Sequence, residues 1–206
     1  MMDPADVDIP AMGWHGQALD CAQCAHRSLQ ARGGCQVGHA CVEDAYARRI
    51  DRFMRWHPEL ANELTRHPHF EVRAIAVRHA DVFAAQRLAS DPDETVRLQV
   101  ALRLPPHRLT SMMNDPHREV RLRVAQRLPV ELVNPMAHDS DYGVRRIVAR
   151  RQPVVLLSAL ADDHDPEVRT EVAERLEMPA LWRLAHDPSE LVRRVVARRA
   201  PAGLLG

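Results

Sequence analysis

The sequence predicts an all-α protein: an α-solenoid of 24-residue repeats, each a longer α-helix with a short 3₁₀ or α-helical return, behind a small four-cysteine module. Three observations carry that expectation. Val-Arg recurs at a fixed step, the apolar residues around it follow helical spacing, and a proline closes most copies.

The pair stands at Val72-Arg73, Val96-Arg97, Val120-Arg121, Val144-Arg145, Val168-Arg169 and Val192-Arg193, every step being 24 residues with no insertion. Asp91, Asp115, Asp139, Asp163 and Asp187 each precede their arginine by six residues, with His67 in that place in the first copy. Val100, Val124, Val148, Val172 and Val196 follow the pair's valine by four, with Ala76 in the first copy. Self-similarity at such a period marks a repeat architecture.

The copy at 91–114 shows how one unit is built. Asp91 is expected to N-cap the helix, with Pro92 at the first helical position, where its missing N–H costs nothing. Asp93 and Glu94 then place negative charge in the first turn, where the helix dipole favours it. Val96, Val100 and Leu104 form one apolar stripe at helical spacing. Pro105 ends the helix, as Pro129, Pro153 and Pro201 do in their copies. The stretch 106–113 is too short to persist alone and reads as 3₁₀ or a very short α-helix, with Leu109, Met112 and Met113 needing a neighbour. A single unit cannot bury its stripe, whereas stacked copies share a continuous core. The period also falls in the leucine-rich-repeat range. That architecture needs an L-x-L strand where these copies put prolines and helical spacing, so a β-lined horseshoe is excluded.

The six Val-Arg arginines could be taken for a polyanion ladder. Unpaired stacked arginines would repel one another and be costly to desolvate, so the better reading is a charge ladder in which aspartate and arginine pair within or between units and fix register. A second column, Arg103, Arg127, Arg151, Arg175 and Arg199, falls near helix C-termini, where positive charge is favoured. Arg146, Arg150, Arg194 and Arg198 read as a solvated face.

Composition narrows the function classes. With aromatic residues at 4%, the core must be aliphatic. A formal net charge of zero gives no global pull toward nucleic acid or acidic lipid. The N-terminus has no basic, apolar leader pattern, and nothing approaches the roughly 18 apolar residues of a membrane span, so the expected address is the cytoplasm. No phosphate-binding glycine loop and no nucleophile–base constellation is present, and the chain reads as no enzyme.

The remaining chemistry lies in residues 1–45, with 46–206 forming the repeat domain. The only cysteines are Cys21, Cys24, Cys35 and Cys41, spaced C-x₂-C-x₁₀-C-x₅-C. In a reducing compartment such a cluster is not a disulfide framework. Four thiolates opening on C-x-x-C hold either Zn²⁺ or an iron–sulfur cluster, and spacing leaves both open. Gly33, Gly34 and Gly38 permit tight approach of the chain before Cys35 and Cys41. His15, His26 and His39 lie nearby but are surplus to a four-thiolate set.

Taken together, the four cysteines and the uninterrupted D-P-x-x-x-V-R-x-x-V-A-x-R-L copies resemble the leucine-rich repeat variant family over roughly residues 12–206. The resemblance implies a [4Fe–4S] cluster on Cys21, Cys24, Cys35 and Cys41, with Zn²⁺ as the alternative. It also implies a right-handed superhelix of alternating α- and 3₁₀-helices without β-sheet, and an association with nitrogen-fixing bacteria. Two departures read as solenoid ends: Arg48-Arg49 replaces Val-Arg in the copy at 43–66, and the last copy stops at Gly206.

The expected function is a protein-interaction scaffold with unknown protein partners on the solenoid surface, its cluster module capping the N-terminal repeats. Ile50, Phe53, Trp56, Leu60 and Leu64 are expected to join the two parts. An electron-transfer or redox-sensing iron–sulfur protein is the alternative. Nucleic-acid binding ranks last, and no membrane is involved.

Overall fold

The computed structural model describes residues 9–200; Pro201 and Gly206 lie outside them. The chain divides between Leu104 and Pro105 into two compact units. In the first, α1 (Arg27–Gln30) lies within the cysteine segment, followed by α2 (Ala47–Trp56), α3 (Ala61–Leu64), α4 (Phe70–His79), α5 (Val82–Arg87) and α6 (Glu94–Arg103). The second holds α7 (Arg118–Arg127), α8 (Tyr142–Arg151), α9 (Pro166–Arg175) and α10 (Glu190–Arg199). Within the first unit α2 and α3 pack on α4, and α4 on α6; within the second, each long helix packs on the next. The returns are 3₁₀ turns such as Pro106–Arg108, Val130–Leu132 and Val154–Leu160, or the short α-helices α3 and α5. β-type pairing among the described residues is limited to isolated bridges near the cysteines. Repeat upon repeat, this is the all-α solenoid class that the spacing predicts.

The stripe forms the core. The valine of every Val-Arg pair is fully buried, as are Val100, Val124, Val148 and Val172. Each such side chain contributes roughly 1.5–2 kcal/mol by leaving water. Leu104 and Leu128, the last apolar residues before Pro105 and Pro129, are equally buried and take the extended backbone that a following proline favours.

The helix start differs from expectation. Asp91 is not the N-cap: α6 begins at Glu94, and Asp93 caps it by accepting the Thr95 N–H at 2.9 Å. Asp141 and Asp165 cap α8 and α9 in the same register. The column aspartates are committed elsewhere. Asp91 holds an extended backbone before Pro92, and its Oδ1 accepts the Asp93 N–H at 2.9 Å, closing a turn before the helix.

The other side of that carboxylate receives an arginine from the preceding copy. Arg73 donates from Nε and Nη2 to the two oxygens of Asp91 at 2.7 and 2.8 Å. The same two-pronged bond links Arg121 to Asp139, Arg145 to Asp163 and Arg169 to Asp187, always 18 residues apart. The remaining nitrogen turns back: Nη1 of Arg121 donates to the carbonyls of Asp115 and Pro116 at 2.9 and 3.2 Å. One guanidinium thus joins its own copy's turn to the next copy's aspartate, and its planar fork suits that task. The pairing runs between copies; within a copy it is the aspartate's carbonyl that is engaged.

The second arginine column caps the C-terminus of the preceding helix rather than its own. Arg175 donates to the Ala149 and Gln152 carbonyls at 2.6 and 2.8 Å, and Arg199 to Ala173 and Leu176, both at 2.6 Å. Arg146, Arg150 and Arg198 are exposed but pair with Glu167, Glu171 and Glu174 of adjacent copies.

The ladder carries a pH dependence. Burial alone would raise the Asp163 and Asp187 pKa, but the bonds from Arg145 and Arg169 and the backbone N–H groups outweigh it and hold both below the usual carboxylate range. A depressed folded-state pKa gives stability that is complete above the unfolded value of about 3.9 and is lost as pH falls through the folded one. The thermal midpoint is therefore expected to be insensitive to Asp163 and Asp187 between about pH 7 and 5 and to fall below about pH 4. A midpoint that rises on acidification, measured by circular dichroism, contradicts the ladder.

Candidate metal centre

The cysteine segment is held by backbone pairing and one buried charge pair. Met12 bridges to Ala18 and Gly13 to Asp44, and the Ala45 N–H donates to the Met12 carbonyl at 2.8 Å. Arg49 and Asp44 form an ion pair at 3.1 Å with both side chains 1% exposed. Arg49 also donates to the carbonyls of Ile9 and Pro10. Sequence reasoning saw in Arg48-Arg49 only a lost Val-Arg; Arg49 instead ties the start of the segment to α2.

Each cysteine has a local device that positions it. Asp20 accepts the Ala22 N–H at 2.9 Å and turns the chain through Cys21. Cys24 Sγ accepts the His26 N–H at 3.3 Å. Gly33 and Gly38 have φ of 73° and 74°, a left-handed backbone open to glycine, one before Cys35 and one before Cys41. Gly34 serves by its small size: a Cβ there would meet the His57 ring at 3.1 Å, and its carbonyl pairs with His57 Nε2 at 2.6 Å. The Cys41 N–H donates to the Arg49 carbonyl at 3.2 Å.

These devices bring all four cysteines to the rim of one cavity of about 20 Å³, with His26, Arg27, Gln30 and Val37 completing it. Cys41 is buried; the other three are half-buried. Among the described residues, no three His, Cys, Asp or Glu side chains close round a point that a single ion could occupy. The thiols nevertheless lie within electrostatic reach of one another. Burial, then Asp44, Cys24 and Cys35, push the Cys41 thiol up to about 12 against the pull of the Glu43 backbone N–H. Cys24 is raised by burial, and by Glu43 and Cys21, despite its bond from the His26 N–H; Cys35 is raised by burial, then Cys24 and Cys21. Crowded soft sulfurs, of which Cys24, Cys35 and Cys41 resist ionising, are suited to a cationic inorganic centre, which reverses that penalty.

The rings of the nearby histidines have contacts of their own. His39 pairs with Arg52 at 2.9 Å, His15 packs on Trp14, and His26 lies against Phe53, with burial holding it below the ordinary histidine range. Behind the site, Trp14 donates to Glu43 at 3.4 Å and stacks on His69, while His67 stands 3.7 Å from Glu43. Part of the signal was available: His67 stands where the later copies carry the column aspartate. Among the residues expected to join the two parts, Ile50, Phe53 and Leu64 are buried and Leu60 is half-buried, but Trp56 is 42% exposed. No helix among the described residues is long and apolar enough to cross a membrane.

The family model described as the leucine-rich repeat variant protein FeS4 cluster matches residues 11–63, and that of the leucine-rich repeat variant matches residues 94–117. An uncharacterized 27.7 kDa protein in the nifB 3′ region of Rhodobacter capsulatus is 47% identical over 94 residues; the match takes in 46% of this chain and 38% of that protein's length. A solved structure described as a leucine-rich repeat variant with a novel repetitive protein structural motif is 46% identical, with a TM-score of 0.81 over 88% of this chain and 78% of that one. The matched iron–sulfur segment contains all four cysteines, and the repeats behind it share both fold and sequence with that structure. The chain belongs to the leucine-rich repeat variant family.

Proposed function

We propose that this chain is a cytoplasmic, non-enzymatic interaction scaffold in which Cys21, Cys24, Cys35 and Cys41 hold a [4Fe–4S] cluster that caps the N-terminal repeats. The supporting observation is the continuity of the core beneath the cysteines. Ala40 and Val42, which flank Cys41, are buried in one cluster with Ile50, Phe53, Met54 and Val72, and Leu29 and Cys35 pack against it. The cysteine loop thus covers the apolar side of α2 and α4, and whatever organises the loop organises the first repeats. When bound, such a cluster supplies a thiolate-ligated centre that holds or passes one electron. The His26 N–H on Cys24 Sγ is a bond of the kind that adjusts its potential.

A second reading, electron transfer or redox sensing, draws on access. Three of the four cysteines are half-exposed, and a neighbouring cavity of about 270 Å³, bordered by Gln17, Asp20 and Glu43, opens on Cys21, Cys24 and Cys41. It predicts reversible reduction and a partner affinity that changes with oxidation state. The position of the Rhodobacter capsulatus relative beside nifB supports a link to nitrogen fixation.

The deciding measurement is anaerobic purification with a visible spectrum and metal analysis. A brown protein with about four iron and four sulfide per chain is the expected result. A colourless protein holding zinc alone overturns the cluster.

A further inference from the structure

We propose that an arginine-lined bowl on α2 and α4 docks the carboxylates of an acidic protein surface beside the cysteine loop. This rests on the scaffold reading and names the chemistry of its partner. The bowl has a volume of about 520 Å³ and is lined by Arg48, Arg52, Arg55 and Arg78, with Asp51 as the one carboxylate. Asp51 is divided between Arg55 and Arg78, each at 3.1 Å. Arg48 stands exposed. Leaving aside Arg52, which is engaged with His39, Arg48, Arg55 and Arg78 face one carboxylate among the described lining residues, a local surplus of two positive charges on a chain whose formal net charge is zero.

Two features place this bowl at the metal centre. Arg52 donates to the His39 carbonyl at 2.7 Å and pairs with its ring nitrogen at 2.9 Å, and His39 belongs to the loop between Cys35 and Cys41. The exposed Trp56 ring lies 5.6 Å from the same histidine, an aromatic anchor of the type that concentrates binding energy in interfaces. A partner seated on the arginines therefore touches the segment that carries two of the four cysteines.

The shape selects among anions. A nucleic acid asks for a run of cations along its backbone. Here the basic face stops: one repeat on from Ile75 and Arg78 stand Gln99 and Leu102. A single compact bowl suits clustered carboxylates, which arginine forks take in pairs, as Arg73 does with Asp91. At physiological ionic strength such attraction fades beyond about 8 Å, so it acts only on a surface in contact.

The test uses the full chain, purified anaerobically, and a fluorescein-labelled oligo-aspartate peptide read by anisotropy. Arg48→Gln/Arg78→Gln is expected to weaken binding by at least about tenfold, with the visible spectrum and melting temperature retained. Arg194→Gln, an exposed arginine of α10 that pairs with Glu190, is expected to leave affinity unchanged, and added salt to reduce it. Equal affinity of the wild type and the double variant overturns the proposal. So does tighter wild-type binding of a single-stranded oligonucleotide of matched charge, or of inorganic phosphate. Should the double variant unfold, Arg48→Gln alone decides, because that side chain is exposed. Anisotropy does not read iron. A colourless protein that binds the peptide sinks the cluster but not the docking site, and a brown protein that ignores the peptide does the reverse.

Discussion

Arg121→Leu is expected to lower the thermal unfolding midpoint by roughly 6–12 °C, about 3 kcal/mol at the 2–4 °C per kcal/mol usual for a chain of this size. The side chains of Arg121 and Asp139 are 13% and 7% exposed, so the pair is largely out of water. Leucine there would leave the Asp139 carboxylate with the Asp141 N–H at 2.8 Å as its remaining partner among the described residues, and would take the Arg121 donor from the Asp115 and Pro116 carbonyls. Leaving one member of such a pair alone costs more than the pair itself contributes. Two comparisons make the result specific. Arg146→Leu breaks the Glu167 pair, whose side chains are 40% and 49% exposed, and should cost under about 1 kcal/mol. Arg121→Leu/Asp139→Leu removes both charges and should recover part of the loss. Calorimetric midpoints that fall equally for Arg121→Leu and Arg146→Leu would show that the ladder does not hold register.

How much of this was legible in the sequence depends on whether each residue's partner lay at a fixed offset. The valine columns are buried as read, because a stripe at helical spacing has the same environment in every copy. The arginines were recognised as structural, but Asp91 was misplaced. Aspartate before proline has the chemistry of an N-cap, and nothing local reveals that Arg73 claims its carboxylate and that Asp93 inherits the cap. At the cysteine segment the period is broken, and legibility falls with it. The cysteines stand out as candidate donors from spacing, whereas the burial of Cys41 depends on how the core forms beneath it. The Arg49–Asp44 pair depends on where residues 9–13 run, a path no recurrence encodes.

Cys41→Ser separates ligand from packing, and its effect should be confined to one end of the chain. Cys41 is 8% exposed, flanked by buried Ala40 and Val42, and bonded through its N–H to the carbonyl of Arg49 in α2. Loss of a thiolate there should bleach the protein and release iron. It should also cut amide hydrogen-exchange protection across residues 44–80 by at least about tenfold, which is 1.4 kcal/mol of local opening free energy. Repeats gain stability from their immediate neighbours, so amides of α8 and α9 in the second unit should keep theirs. Cys21→Ser supplies the contrast, because Cys21 is half-exposed and outside that apolar cluster. It should bleach as fully as Cys41→Ser while fraying the first repeats no more than chelating the iron from the wild type does. Uniform protection in iron-loaded and iron-stripped protein would sink the cap. If Cys41→Ser frays 44–80 but keeps its full iron, Cys41 is a packing residue, and the donor set assigned to the cluster is wrong at that position.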